Sequence, residues 1–207
     1  MNKNIILDLG GIIADDGSKK YQNEKYKDKL NIPFEEIRHI MKIAFGSTFN
    51  NCLLGISTIE NHISKIVGDN PKYKDELIYM LEPKLYSETY PIIDETLKYI
   101  YTLKNKGHKI YFLSNITFES YEYMKHILDD FNGGVYSYQE HLIKPNKEIY
   151  KRIVNKYNLE KEECIFFDDN IKNVQSANEY GLRSFVFKNI SDIEEVLKKE
   201  EKIIKII

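Results

Sequence analysis

The chain opens on an apolar run, Asn4-Ile5-Ile6-Leu7, that stops at Asp8 and gives way to Gly10 and Gly11. A short apolar run closed by a polar residue and glycines reads as a buried strand and a turn. From about Lys19 to Leu81 the period changes. Tyr21, Tyr26 and Leu30, then Ile37, Ile40, Met41 and Ala44, recur at helical spacing, with turn signals at Asn31-Ile32-Pro33, Gly55 and Asp69-Asn70-Pro71. This stretch predicts a separate small helical lobe. The chain crosses back around Pro83 to Pro91, and Ile92 to Lys106 predicts a helix stopped by Gly107.

From there strand and helix patterns alternate. Strands are predicted at Lys109 to Leu113, Val135-Tyr136, Cys164 to Phe167 and Arg183 to Phe187; helices at Phe118 to Phe131, Lys147 to Tyr157, Ile171 to Tyr180 (ended by Gly181) and Ile190 to Lys199. Strands separated by helices of this length form right-handed crossovers and a parallel sheet. The fold class is therefore α/β, with 1–15 and 88–207 forming a Rossmann-like core and 16–87 a helical cap domain inserted after the first strand. The final stretch, Lys198 to Ile207, fits either a last strand or a frayed tail.

Composition narrows the class of function. With 207 residues, 42% hydrophobic and 30% charged, the chain can bury one good core and a smaller lobe. Thirty Lys and Arg against 32 Asp and Glu leave a net charge of -2, which gives no long-range attraction for nucleic acid or an anionic membrane. The expected partner is a small phosphorylated metabolite, with the protein a monomer or weak homodimer. No apolar run approaches the roughly 20 residues that span a bilayer, and residues 1–20 lack a signal-peptide core, so a cytoplasmic location is expected. Cys52 and Cys164 read as reduced structural thiols.

The candidate chemistry lies where the apolar runs end, because ligands of an open parallel sheet bind beyond the carboxyl ends of its strands. The first run ends in Asp8, the next long one in Ser114-Asn115, and "CIFF" in Asp168-Asp169-Asn170; Lys144-Pro145 opens the helix between the last two. Taken singly these are ordinary features: a strand-end Asp is usually a turn residue, and Ser-Asn after a strand is often a helix cap. Together, on neighbouring strands, they bring three carboxylates, a hydroxyl, an amide and an ammonium to one place. Two unit charges about 4 Å apart at an effective dielectric of about 20 repel by about 4 kcal/mol, so clustered carboxylates need a cation. Oxygen ligands without nearby His or Cys suit Mg²⁺. A cation, a lysine and a free carboxylate make a site for a phosphoryl group attacked in line.

On these residues the chain resembles the haloacid-dehalogenase superfamily. Asp8-Leu9-Gly10-Gly11-Ile12-Ile13 is similar to its first motif, Ser114-Asn115 to the second, Lys144-Pro145 to the third, and Phe167-Asp168-Asp169-Asn170 with Asn173 to the fourth. The segment Phe49 to Val67 resembles the helical cap of the capped subclass (subfamily IA, variant 3). "DLGG", "HLIKPNKEIY" and "FFDDNIKNVQSANEYGLRS" are most similar to a bacterial branch that includes a glucose-1-phosphate phosphatase. The resemblance implies a Mg²⁺-dependent phosphatase of small phosphate monoesters, a sugar 1-phosphate among the candidates, working through an aspartyl-phosphate on Asp8. Ser114 and Lys144 would then serve catalysis and bind the phosphoryl oxygens, and Asn115 would contact the phosphoryl group or orient the nucleophile. Mg²⁺ would be held by Asp8, the Gly10 carbonyl and Asp169, with Asp168 and Asn173 behind them.

Two departures matter. The general acid common two residues after the nucleophile is replaced by Gly10, with Asp15 and Asp16 as candidate substitutes. His141 stands three residues before Lys144, where glycine is common. Two other readings compete: a 2-haloacid dehalogenase-like hydrolase, which needs no metal, and a binding protein of the same fold with weakened catalysis. Asn50, Asn51 and His62 in the lobe read as surface or packing residues rather than sugar contacts.

Overall fold

In the computed structural model, the structure describes residues 2–15, Tyr26 and 29–204, with the backbone alone described for 201–204. Five strands, β1 (Asn4–Leu7), β2 (Lys109–Ser114), β3 (Gly134–Tyr136), β4 (Cys164–Asp168) and β5 (Ser184–Val186), form one sheet in the order β3-β2-β1-β4-β5. Every pairing is parallel. The order reverses direction at β1, a Rossmann-like arrangement that opens a crevice at the carboxyl ends of the central strands.

The strand sequences are near-continuous apolar runs because both faces are covered. Alternate residues point to opposite faces. Ile5, Leu7, Phe112 and Phe167 pack with Ile100, Leu103 and Ile193 on one face. Ile6, Leu113 and Phe166 pack with Ile149, Ile153 and Ala177 on the other. The covering helices are α6 (Asp94–Asn105), α7 (Phe118–Leu128), the short α8 (Ser137–Glu140), α9 (Lys147–Lys156), α10 (Ile171–Tyr180) and α11 (Ile190–Ile204). Local sequence sets their starts. The side chains of Thr117, Asn146 and Asn170 accept from backbone N–H groups of the first turns of α7, α9 and α10. Gly107 and Gly181 end α6 and α10 as predicted. The stretch left open between strand and tail continues α11 to Ile204, with 205–207 outside the described residues.

Between β1 and α6 lie α1 (Phe34–Ala44), α2 (Asn50–Leu53), α3 (Ile59–Asp69), α4 (Lys74–Leu81) and α5 (Tyr86–Thr89). Ile37, Ile40, Ile59, Ile66, Leu77 and Met80 form a hydrophobic cluster of their own. Tyr21 and Asp16 lie outside the described residues. The chain leaves and re-enters the sheet region side by side: Ala14 bridges Ile92, Asp15 N donates to the Pro91 carbonyl at 2.9 Å, and Ile93 N to that of Ile13 at 2.7 Å. The helices dock over the crevice by backbone contacts. The Ile59 N–H donates to Glu119 at 2.9 Å, and His141 Nδ1 lies 2.7 Å from the Leu54 carbonyl. Gly55, at φ +66, passes so close to Tyr138 that a Cβ there would stand 2.3 Å from the Tyr138 carbonyl oxygen.

Candidate active site

The register of the three central strands places the first carboxylates. Leu7 is level with Phe112 on β2 and Phe167 on β4. Asp8, one residue on, therefore stands beside Leu113 and Asp168, and its N–H continues the ladder by donating to the Phe167 carbonyl at 3.0 Å. Neighbouring strands lie about 4.8 Å apart, so side chains at this level meet. Lys144 enters from the loop before α9. Its Nζ donates to Asp168 Oδ2 at 2.6 Å, Asp8 Oδ2 at 2.8 Å and the Leu113 carbonyl at 2.8 Å, and its side chain is fully buried. The three donors of an ammonium thus each have an acceptor.

Each member is held by a further contact. Asn115 clamps the backbone of Lys144: its Oδ1 accepts from the Lys144 N–H at 2.7 Å and its Nδ2 donates to the Lys144 carbonyl at 3.0 Å. Asp168 accepts from Asn173 Nδ2 on both oxygens at 3.0 Å and from the Asn170 N–H at 2.8 Å. Tyr150 in turn donates to the Asn173 carbonyl at 2.9 Å. Asp8 Oδ1 accepts from the Leu9 N–H at 2.7 Å.

Asp8, Asp168 and Asp169 each offer a carboxylate oxygen within 4.8 Å of the others. At that separation and an effective dielectric of about 20, each pair repels by about 3 to 4 kcal/mol. Among the described residues lining the site, Lys144 is the single cation facing these acids. The electrostatics follow. Burial, only partly offset by Lys144 and reinforced by Asp168, pushes the Asp8 carboxyl up to about 7. Burial also works against the Lys144 charge, but Asp168 and Asp8 outweigh it and hold the ammonium above its usual range. An all-oxygen acid cluster in charge deficit fits a hard divalent cation. Gly11 fits the same picture. At φ +70, it leaves room for the Asp169 carboxylate, whose Cγ and Oδ2 would both be 2.9 Å from a Cβ at that position.

Ser114, buried at the end of β2, and Gly10 both line the crevice beside these groups. Asp8, Gly10, Ser114, Asn115, Lys144, Asp169 and Asn173 thus share one cavity, with Asp168 directly behind it. The helix caps that Ser114-Asn115 could have supplied come instead from Thr117. His141 adopts the left-handed conformation, φ 55, which explains why glycine suits that position. Asn50 and Asn51 are exposed, and His62 is buried with Nε2 2.8 Å from the Ala44 carbonyl; none of the three lines the cavity. Asp15 is likewise away from the lining. Cys52 and Cys164 are unpaired and buried, and burial pushes both thiols up to about 11.

The cavity encloses about 750 Å³ and runs from the carboxylates up into the helical lobe, whose Phe45, Phe49, Leu53, Met80 and Tyr86 form its far wall. Sequence reasoning missed this wall, because aromatic and aliphatic residues at helical spacing are the ordinary signature of a packed core. Among the described residues no helix is long and apolar enough to cross a membrane.

Residues 3–181 match the family of haloacid dehalogenase-like hydrolases. Among solved structures, the chain is similar to a HAD family enzyme from Bacteroides thetaiotaomicron in complex with magnesium and inorganic phosphate, with a TM-score of 0.71, 21% identity, and 93% of this chain and 99% of that one covered. It is also similar to L-2-haloacid dehalogenase from Xanthobacter autotrophicus with chloropropionic acid covalently bound, with a TM-score of 0.61, 14% identity, and 89% and 76% covered. At such identities the shared feature is the fold. A curated relative, a drimenol cyclase from Aspergillus calidoustus, is 26% identical over 132 residues, 58% of this chain and 25% of that protein. The chain therefore spans about a quarter of that relative's length.

Proposed function

Because the chain belongs to the haloacid dehalogenase-like hydrolase family, we propose that this cavity is the active site of a Mg²⁺-dependent phosphatase that hydrolyses a small phosphate monoester through a phosphorylated Asp8. The observation that carries the reading is the cluster of Asp8, Asp168 and Asp169 around a single lysine. A divalent cation would relieve this charge and keep Asp8, whose carboxyl is raised to about 7, ionised and nucleophilic.

In this reading one Asp8 oxygen attacks phosphorus as the ester P–O bond breaks, and the departing alkoxide takes its proton from water. Water then attacks the acyl phosphate, releasing inorganic phosphate and regenerating Asp8. The Ser114 hydroxyl binds the phosphoryl oxygens, and Lys144, whose three N–H groups are taken by Asp8, Asp168 and the Leu113 carbonyl, stabilises their charge through space. Asn115 acts through Lys144, whose backbone it clamps on both sides. Asp8, Asp169 and the Gly10 carbonyl would hold Mg²⁺, with Asp168 and Asn173 behind; when bound, the ion supplies positive charge to the phosphoryl oxygens. Lys144 is committed to both buried acids, so Asp168 serves to fix the ammonium beside the nucleophile. Residues 16–87 act as the cap that covers the reacting group, and a small metabolite in the cytoplasm is the natural substrate.

Turnover of 4-nitrophenyl phosphate that requires Mg²⁺ and is lost in Asp8→Asn tests the proposal. Turnover of a 2-haloacid without added metal, with no phosphatase activity, would replace it.

A further inference from the structure

The helical cap is joined to the core at the double crossing of the chain, where Asp15 and Ile93 bond across to Pro91 and Ile13. It meets the core again through residues 54–59, and three contacts seat that segment. The Leu54 carbonyl can only accept, so His141 Nδ1, 2.7 Å away, donates to it. Glu119 accepts from the Ile59 N–H at 2.9 Å. That N–H belongs to the first turn of α3, where the Thr58 side chain serves Asn61 instead. The core thus supplies an acceptor that the first turn of the cap helix lacks, and a carboxylate suits a helix N-terminus. Between these two bonds Gly55 runs backbone to backbone over Tyr138, too close to admit a Cβ.

The backbone of His141 marks it as more than a surface residue. It is left-handed, φ 55 and ψ 31, immediately after α8. That conformation disfavours a residue with a Cβ by about tenfold, and the residue is exposed, so burial of the imidazole does not offset the cost. Glycine would sit there without strain. What the imidazole adds is the bond to Leu54, and strain of this kind persists where the surrounding structure makes use of it.

Both core partners adjoin the phosphoryl end of the cavity. His141 stands three residues before Lys144. Glu119 lies in the first turn of α7, whose cap Thr117 follows directly on Ser114, Asn115 and Ile116. On the cap, Leu54 follows Leu53, which lines the cavity with Phe49. The contacts therefore hold the cavity's far wall against the core segments that carry the reacting groups.

Resting on the phosphatase reading above, we infer that His141 and Glu119 are positioning residues that latch residues 54–59 of the cap onto the core and hold the cavity closed over the substrate. With the latch broken, fewer molecules are closed before substrate binds, and apparent affinity falls with the closed fraction. The substrate-bound enzyme still closes and turns over.

Amide hydrogen exchange over 54–59 reads the latch directly. One hydrogen bond shifts an opening equilibrium by about three- to tenfold, so His141→Gly and Glu119→Ala should each speed exchange there by that factor, with β1, β2 and β4 unchanged. Glu119→Gln keeps an oxygen for the Ile59 N–H and should behave as the parent. His141→Gly also relieves the left-handed strain, so its thermal midpoint should stay at or above that of the parent. Combining His141→Gly with Glu119→Ala should speed exchange at least about tenfold and raise KM for 4-nitrophenyl phosphate at least about threefold, with kcat nearly constant. Unchanged exchange in the double variant overturns the latch. Faster exchange with an unchanged KM, or a loss confined to kcat, overturns its link to substrate binding. A lowered midpoint in His141→Gly with exchange faster throughout the chain makes the residue a general stabiliser and also overturns the inference. If the parent does not turn over 4-nitrophenyl phosphate, the phosphatase reading fails, while exchange over 54–59 still decides the latch.

Discussion

Lys144→Met removes the one ammonium that serves two buried acids while keeping the side chain's length and apolar stem. The Nζ lies 2.8 Å from Asp8 and 2.6 Å from Asp168. At an effective dielectric of about 20, a pair at this distance is worth about 6 kcal/mol, equivalent to roughly four pK units on the carboxyl. The Asp8 carboxyl already sits up to about 7 with the lysine in place. Without it, fewer than about one molecule in a thousand carries an ionised Asp8 near neutral pH before any cation binds. Bound Mg²⁺ and local relaxation restore part of this, so the expected loss in kcat/KM is at least about a hundredfold. Protonation also protects the fold. Breaking a buried pair costs about 3 to 5 kcal/mol when the remaining charge cannot be neutralised, but here one acid takes up a proton. The thermal midpoint should therefore fall by no more than about 10 °C. The assay is Mg²⁺-saturated hydrolysis of 4-nitrophenyl phosphate from pH 6.5 to 9, with thermal unfolding followed on the same preparation. Activity of the variant should climb with pH as Asp8 ionises. A loss smaller than about threefold, or one that does not change with pH, would refute the coupling of Lys144 to the nucleophile.

Asp8→Asn should leave the thermal midpoint within a few degrees and abolish turnover, because an amide cannot attack phosphorus; residual activity above about one per cent in a clean preparation would exclude Asp8 as the nucleophile. A chelator should remove activity and Mg²⁺ restore it in the parent but not in Asp169→Ala at ordinary Mg²⁺. Because the Asp8 carboxyl is raised to about 7, protons compete with the cation below that value. Apparent Mg²⁺ affinity should rise with pH from 6 to 8, with calorimetry in buffers of different ionisation enthalpy recording proton release that fades above pH 7; an affinity that does not vary with pH would refute this. Gly11→Ala should lower stability by about 1 to 2 kcal/mol from its left-handed backbone and push Asp169 from its place, raising the Mg²⁺ half-saturation at least about tenfold; unchanged Mg²⁺ dependence would remove Asp169 from the metal site. Across aryl phosphates of similar size, log rate should fall steeply as leaving-group pKa rises, since Gly10 cannot donate a proton; a flat dependence would reveal another acid.

The parallel sheet and its polar edge were legible in the order of residues. Asp8, Ser114 and Asp168 each terminate an apolar run, and a parallel sheet in which β1 is central carries the ends of neighbouring strands to one level. The helix starts at Thr117, Asn146 and Asn170 and the stops at Gly107 and Gly181 are local chemistry, set by side-chain hydrogen bonds and backbone freedom within a few residues. Three things waited for the tertiary structure. Asn115 reads by its position as a contact of the phosphoryl group or an orienter of the nucleophile, and only the fold shows its carboxamide on the backbone of Lys144, twenty-nine residues further along the chain. The last residues described continue α11 rather than adding a strand, because Ile193 and Val196 on that helix cover one face of the sheet. The cap-side wall is the deepest case. Phe45, Phe49 and Leu53 recur every four residues, as core positions of a helix do, and Phe49 and Met80 also pack into the lobe's own core. Periodicity reports which face of a helix is apolar, whereas whether that face meets another helix or a ligand depends on how the lobe is set over the sheet, and contacts such as Ile59 with Glu119 and Leu54 with His141 decide that.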